Sequence, residues 1–142
     1  MCHLVTLLVA LATLIAAPRG LAGEPTLVVI VHPSRVEPLT TADVARIFLR
    51  KRRFWADGAP IIPLNGEVES AARQLFTARV LGGDGSYLVQ YWNEQYFVGV
   101  FPPAVLSSSA AVRRYVATDR DAIGYVEAEE ADDSVRVALR LE

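Results

Sequence analysis

The stretch PLNGEVESAARQLF, Pro63 to Phe76, holds the residues whose types and spacing point most directly to chemistry. It reads as the end of a strand, a turn at Gly66 and then a helix, so backbone N–H groups without intrahelical partners converge beside the glycine. Such helix starts hold phosphate or sulfate, because free donors and the positive end of the helix dipole face the anion. In this reading Asn65, Gly66 and Ser70 donate to an oxyanion and Arg73 supplies the nearby cation. Ser34, at the C-terminal end of the first predicted strand, joins them on the rule that ligands of open α/β sheets gather at strand ends. Glu67 and Glu69 fall in the same expected first helical turn. Each favours the helix by about 0.3–1 kcal/mol through the dipole and repels a second anion. The alternative is therefore a turn whose own acids cap its helix.

The only dense positive run is Arg50-Lys51-Arg52-Arg53, followed by Phe54 and Trp55, with Arg46 one turn back. Basic residues interleaved with aromatics are found in nucleic-acid readers, but the net-negative chain speaks against nucleic acid. Contact with an acidic partner protein or an anionic membrane surface fits better, against a default of a solvated helix end with cations at the negative dipole pole. His32 is the one histidine outside the N-terminal apolar segment, and no Ser-His-Asp arrangement can be built around it. The acidic run EAEEADD, Glu127 to Asp133, lacks the spacing of a dedicated calcium loop. No nucleophile–base pair, metal cluster or acid pair emerges, so neither catalysis nor a cofactor is expected.

These residues must be positioned by a small frame. The first 22 residues include an apolar run from Leu4 to Ala17 and then small residues, which suits a cleaved secretory signal and export to the periplasm or cell exterior. Its removal takes away Cys2, the single cysteine, and Arg19, leaving 13 basic and 16 acidic residues and a formal charge of −3. A chain with no disulfide must be held by a core, and residues 23–142 suffice for one domain.

TLVVIV, Thr26 to Val31, is a β-branched run expected mid-sheet, covered on both faces. Thr40 with Asp43 three residues on predicts a capped helix with Val44, Ile47 and Phe48 inward. APIIPL, between prolines, suits a strand near an edge. Ala72, Leu75, Phe76 and Val80 share a helical face closed by Gly82-Gly83. Asp84 or Ser86 caps a third helix, with Tyr87, Leu88, Tyr91 and Trp92 as its buried stripe. FVGVFPPAVL reads as irregular, one of Ser107 to Ser109 caps a fourth helix with Val112, Tyr115 and Val116 on its inner face, and AIGYVEA and SVRVALRL read as strands. In the last, Val135, Val137, Leu139 and Leu141 alternate with Arg136 and Arg140, which suggests one solvated face.

Three segments, ADVARIFLRKRRFWADGAPIIPLN, YWNEQYFVGVFPP and RDAIGYV, occur in the order seen in short secreted proteins related to the phosphate-binding proteins of ABC importers. Over roughly residues 26 to 128 the chain resembles one lobe of that type II periplasmic-binding-protein fold. The resemblance implies an exported α/β lobe with a mixed sheet of about four or five strands and about four helices. In full-length relatives the anion lies between two lobes. The binding segment there resembles Arg-x-Asp-Gly-Ser-Gly-Thr, whereas the matching place here reads Leu64-Asn65-Gly66-Glu67-Val68-Glu69-Ser70. Two function classes follow. One is a solute-binding module for phosphate or a similar oxyanion. The other is an interaction or sensory module meeting an envelope or membrane protein through Arg50, Lys51, Arg52, Arg53 and Trp55, or through the loop from Phe97 to Pro103.

Overall fold

Leu27–Val31 (β1) contains no polar residue, and every one of its side chains is buried. The computed structural model, which describes Gly23 and residues 25–142, places β1 inside a five-stranded sheet; the expected signal segment lies outside the described residues. Thr41–Phe48 forms α1, Ile62–Gly66 β2, Ala71–Phe76 α2, Tyr87–Phe97 α3, Ala104–Leu106 β3, Ser109–Thr118 α4, Ala122–Glu127 β4 and Arg136–Leu141 β5. The strand order is β3-β2-β4-β1-β5. β2 runs parallel to β3 and β4, while β1 is antiparallel to β4 and β5, so the sheet is mixed. This is the expected α/β lobe.

Two apolar layers cover the sheet. Leu27, Val29 and Val31 face α1 and α2 through Val44, Ile47, Phe48 and Phe76, while Val28 and Ile30 face α4 through Val112 and Val116. In the first layer the Phe76 and Tyr125 rings stack at 3.9 Å, with Phe48 tilted against both. Burying each large side chain is worth about 1.5–3 kcal/mol. In the second, α4 comes so close that a Cβ on Gly124 would lie 2.4 Å from Val112 Cγ1.

The predicted caps of α1 and α4 are present, whereas Ser86, at the start of α3, makes no side-chain cap bond. Thr40 Oγ1 accepts from Asp43 N at 3.1 Å while Asp43 Oδ2 accepts from Thr40 N at 2.9 Å, and Ser108 Oγ accepts from Ala111 N at 3.1 Å. α2 runs on through a π-helical turn, Thr77–Leu81, until Gly82 at φ 90° ends it. Among the described residues no helix is long and apolar enough to cross a membrane.

Several expectations need correction. FVGVFPPAVL is not irregular throughout: Ala104–Leu106 forms the edge strand β3 and places β2 one position inward. The predicted stripe of α3 is not buried; none of the residues of that helix is buried, and Tyr96 and Phe97 are 63% and 87% exposed. Tyr115, expected on the inner face of α4, is also partly exposed. β5 lacks one solvated face because its pairing with β1 shifts between Val29 and Ile30. Val135 and Val137 thus join the α4 layer, while Leu139 and Leu141 join the other. One extra residue exchanges the faces of everything beyond it.

Candidate functional site

Gly66 is the last residue of β2 rather than part of a turn, and α2 starts only after Ser70. Glu67 and Glu69 therefore lie ahead of the helix, whose first turn contains no acid. This corrects the expectation that they cap it. Ser70 is the N-cap: its Oγ accepts from Arg73 N at 3.2 Å and donates to Glu67 O at 2.8 Å.

The other predicted donors are also engaged. Gly66 N–H donates to the Tyr125 hydroxyl at 3.1 Å, and that hydroxyl donates to Asn65 Oδ1 at 3.0 Å. Burial pushes the Tyr125 phenol up, which favours the neutral, donating form. Arg73 Nη1 donates to the Gly66 carbonyl at 2.8 Å. Asn65, Gly66, Ser70 and Arg73 are thus brought together, with their hydrogen bonds directed at one another and at Tyr125. No spacing rule pointed to Tyr125; the only signal was a tyrosine in an otherwise apolar strand, whose hydroxyl requires a partner when buried. Beside Arg73 lies a cavity of about 710 Å³ between the α2 segment and α3, lined among others by Val68, Thr77, Leu88 and Trp92.

Ser34 does not join this group. Val31 pairs with Ile123, and Ile123 also pairs with Pro63, so the end of β1 lies beside the start of β2, away from Gly66. The strand-end rule presumes parallel strands, whereas β1 and β2 run in opposite directions. Ser34 instead closes a local turn, its N–H and hydroxyl both directed at His32 Nδ1, at 3.1 and 2.8 Å.

At that same end the basic run divides. Arg52 pairs with Glu37 and, at 3.8 Å, with Asp43. Lys51 lies over the Tyr91 ring at 5.8 Å. Trp55 is only 2% exposed, which corrects its reading as a partner contact. Its Nε1 donates to Asp121 O at 3.0 Å, and the Arg35 guanidinium stacks on its ring at 4.7 Å. Arg35, missed by the sequence reading, is buried and pairs with Asp57 at 2.9 Å and Asp121 at 2.7 Å while donating to Arg120 O at 2.8 Å. The Trp55, Asp57 and Asp121 of the resemblance segments are thus parts of one tether joining three loops. Asp57 is held below the usual carboxylate range, first by the Ala59 N–H and then by Arg35.

Arg50 and Arg53 have no acidic partner among the described residues, and they line a cavity of about 400 Å³ with Gly99–Ala104. The basic run and the Phe97–Pro103 loop, taken as alternatives from sequence, therefore share one face. Phe101, in that lining, is 60% exposed, and Phe97 and Val98 just before it are exposed by 87% and 71%. No metal-binding group of three or more His, Cys, Asp or Glu residues occurs among the described residues.

Comparison with solved structures places this architecture. A Clostridium perfringens protein assigned as a phosphate ABC transporter substrate-binding protein, solved with bound phosphate, superposes with a TM-score of 0.64 at 22% identity over 80% of this chain. An ABC-type phosphate transport receptor from Vibrio cholerae gives 0.62 at 18% over 80%, and PstS from Borrelia burgdorferi gives 0.61 at 18% over 78%. The chain spans 44%, 46% and 44% of those proteins, less than half of each. No family model and no curated protein matches it. The fold is a single lobe of the periplasmic-binding-protein type seen in phosphate-importer binding proteins.

Proposed function

We propose that the chain is an exported, substrate-binding-protein-like module that works by meeting another protein of the cell envelope, as an interaction or sensory unit rather than as a phosphate carrier. One observation carries this reading: the Gly66 N–H, the Ser70 hydroxyl and one N–H of the Arg73 guanidinium are engaged by partners within the fold. An oxyanion that took these donors would have to break these bonds, and breaking them leaves the Glu67 and Gly66 carbonyls in need of new donors. The exposed Phe101, which lines one cavity with two arginines lacking acidic partners, and the exposed Phe97 and Val98 that precede it supply the apolar surface and basic rim that a protein contact uses. The structural relatives, assigned to phosphate import, support the envelope setting.

A second reading, an oxyanion site opened by movement of Arg73, is favoured by the position of Glu67 and Glu69 outside the helix and by the cavity beside Arg73. Isothermal titration of residues 23–142 with phosphate and sulfate at low ionic strength separates the two. The interaction reading predicts no heat of saturable binding, for the chain itself or for Glu67→Gln/Glu69→Gln. Micromolar binding by the unmodified chain would establish the oxyanion reading. Binding by the double variant alone would mean that the cradle is competent and blocked by its acids.

A further inference from the structure

We propose that the cavity between the α1–β2 connection and the Gly99–Ala104 segment is a binding site for small organic carboxylates with an apolar body. It lies at the start of β2 and β3, the opposite end of the sheet from Gly66, and does not depend on how that turn is read. At about 400 Å³ it falls in the size range of small-ligand pockets. Its walls are Ile61, Ile62, Phe101 and the neighbouring prolines; its only charged lining residues are Arg50 and Arg53, and no acid lines it.

Arg50 is unusual in three respects. Among the described residues it alone outside glycine has a left-handed backbone, at φ 60°, a conformation kept for a structural or functional reason in a bulky residue. Its Nη1 reaches the Ile61 carbonyl at 3.3 Å, while Nε is buried with no hydrogen-bond partner. Burial first, and then the charge of Arg53, make protonation of Arg50 less favourable than usual. A carboxylate between the two guanidiniums offsets that repulsion. Planar carboxylate and planar guanidinium match as a two-point contact. The apolar walls then select for the rest of the ligand: acetate leaves them in contact with water, and inorganic phosphate gains nothing from them. Two neighbouring arginines at this end are neutralised: Arg35 has Asp57 and Asp121, and Arg52 has Glu37 and Asp43. The pair lining the cavity has no acidic partner among the described residues.

Phenylacetate serves as the probe in an NMR titration of the ¹⁵N-labelled chain, with acetate (charge without body) and phenylacetamide (body without charge) as comparators. Expected are saturable shifts at Arg50, Arg53 and the Gly99–Ala104 amides with phenylacetate, and affinity at least ten-fold weaker for both comparators. Arg53→Gln, at an exposed position, should keep the wild-type spectrum elsewhere and bind phenylacetate at least ten-fold more weakly. Arg140→Gln, also exposed, should bind it unchanged. Absence of saturable phenylacetate binding, equal binding of phenylacetamide, or undiminished binding by Arg53→Gln would each overturn the proposal.

Discussion

The two ends of the parallel strands treat polar groups in opposite ways. At the C-terminal end of β2, the Gly66 N–H, the Asn65 carboxamide oxygen, the Ser70 hydroxyl and the Arg73 guanidinium are joined through Tyr125 and their own backbone. At the N-terminal end, Arg35 and Arg52 are neutralised by acids, yet Arg50 and Arg53 are left facing an apolar cavity. The residues with the outline of an anion site have bonds inside the fold, and the arginines without acidic partners lie at the opposite end of the strand, in the basic run. A local pattern proposes donors; only the tertiary structure decides whether those donors are free.

The largest expected effect tests whether the neutralised network at the N-terminal end is structural. Arg35→Met should destabilise the fold by about 3 kcal/mol, because it strips a buried cation from Asp57 and Asp121 and removes the stack on Trp55; denaturant unfolding measures it. A loss under 1 kcal/mol would show the tether to be dispensable.

Tyr125→Phe sharpens the contrast at the other end. It leaves the Gly66 N–H and Asn65 Oδ1 without their shared partner, at a cost of about 1–3 kcal/mol. If closure by Tyr125 is what prevents anion binding, this variant should also acquire weak phosphate affinity; if the end is closed by Arg73 and Ser70 as well, it should not. The account predicts a stability loss without phosphate binding.

Thr40→Ala removes the cap of α1, which leads into the basic run, and should cost about 1 kcal/mol. Acid should loosen the same end by a smaller amount. Asp43 and Asp57 are held below the ordinary carboxylate value, Asp43 chiefly by the Thr40 N–H and Asp57 chiefly by the Ala59 N–H. A depressed folded value means the contribution is present above the unfolded pKa and is lost as pH falls through the folded one. Thermal midpoints should therefore decline from about pH 4 downward, and the decline should be shallower in Thr40→Ala, whose Asp43 has lost its hydroxyl partner.

Much of the fold was legible because it rests on local chemistry. The unbroken apolar run of β1 announces a strand covered on both faces, and Thr40 and Ser108 announce helix starts that need no tertiary information. What escaped depends on partners distant in sequence. β3 is three residues long and exists because β2 offers it an edge, so two preceding prolines hid it. The α3 aromatics have helical spacing, but spacing says which residues share a face and not whether anything covers that face. The bulge opposite Val29 and Ile30 leaves the alternation of β5 unchanged in sequence while exchanging its sides in space. At the candidate site, the residue types were found and their freedom was misjudged, because Tyr125 lies 59 residues beyond Gly66 and nothing near Gly66 predicts that it is there.

The most direct test of the central contrast follows the Gly66 amide in a ¹H–¹⁵N spectrum while phosphate is added at low ionic strength. The Gly66, Ser70 and Arg73 amides should stay in place through millimolar phosphate, because their hydrogen bonds are already made inside the fold. A saturable shift of those three amides together would contradict it and restore the C-terminal end of β2 as an anion site.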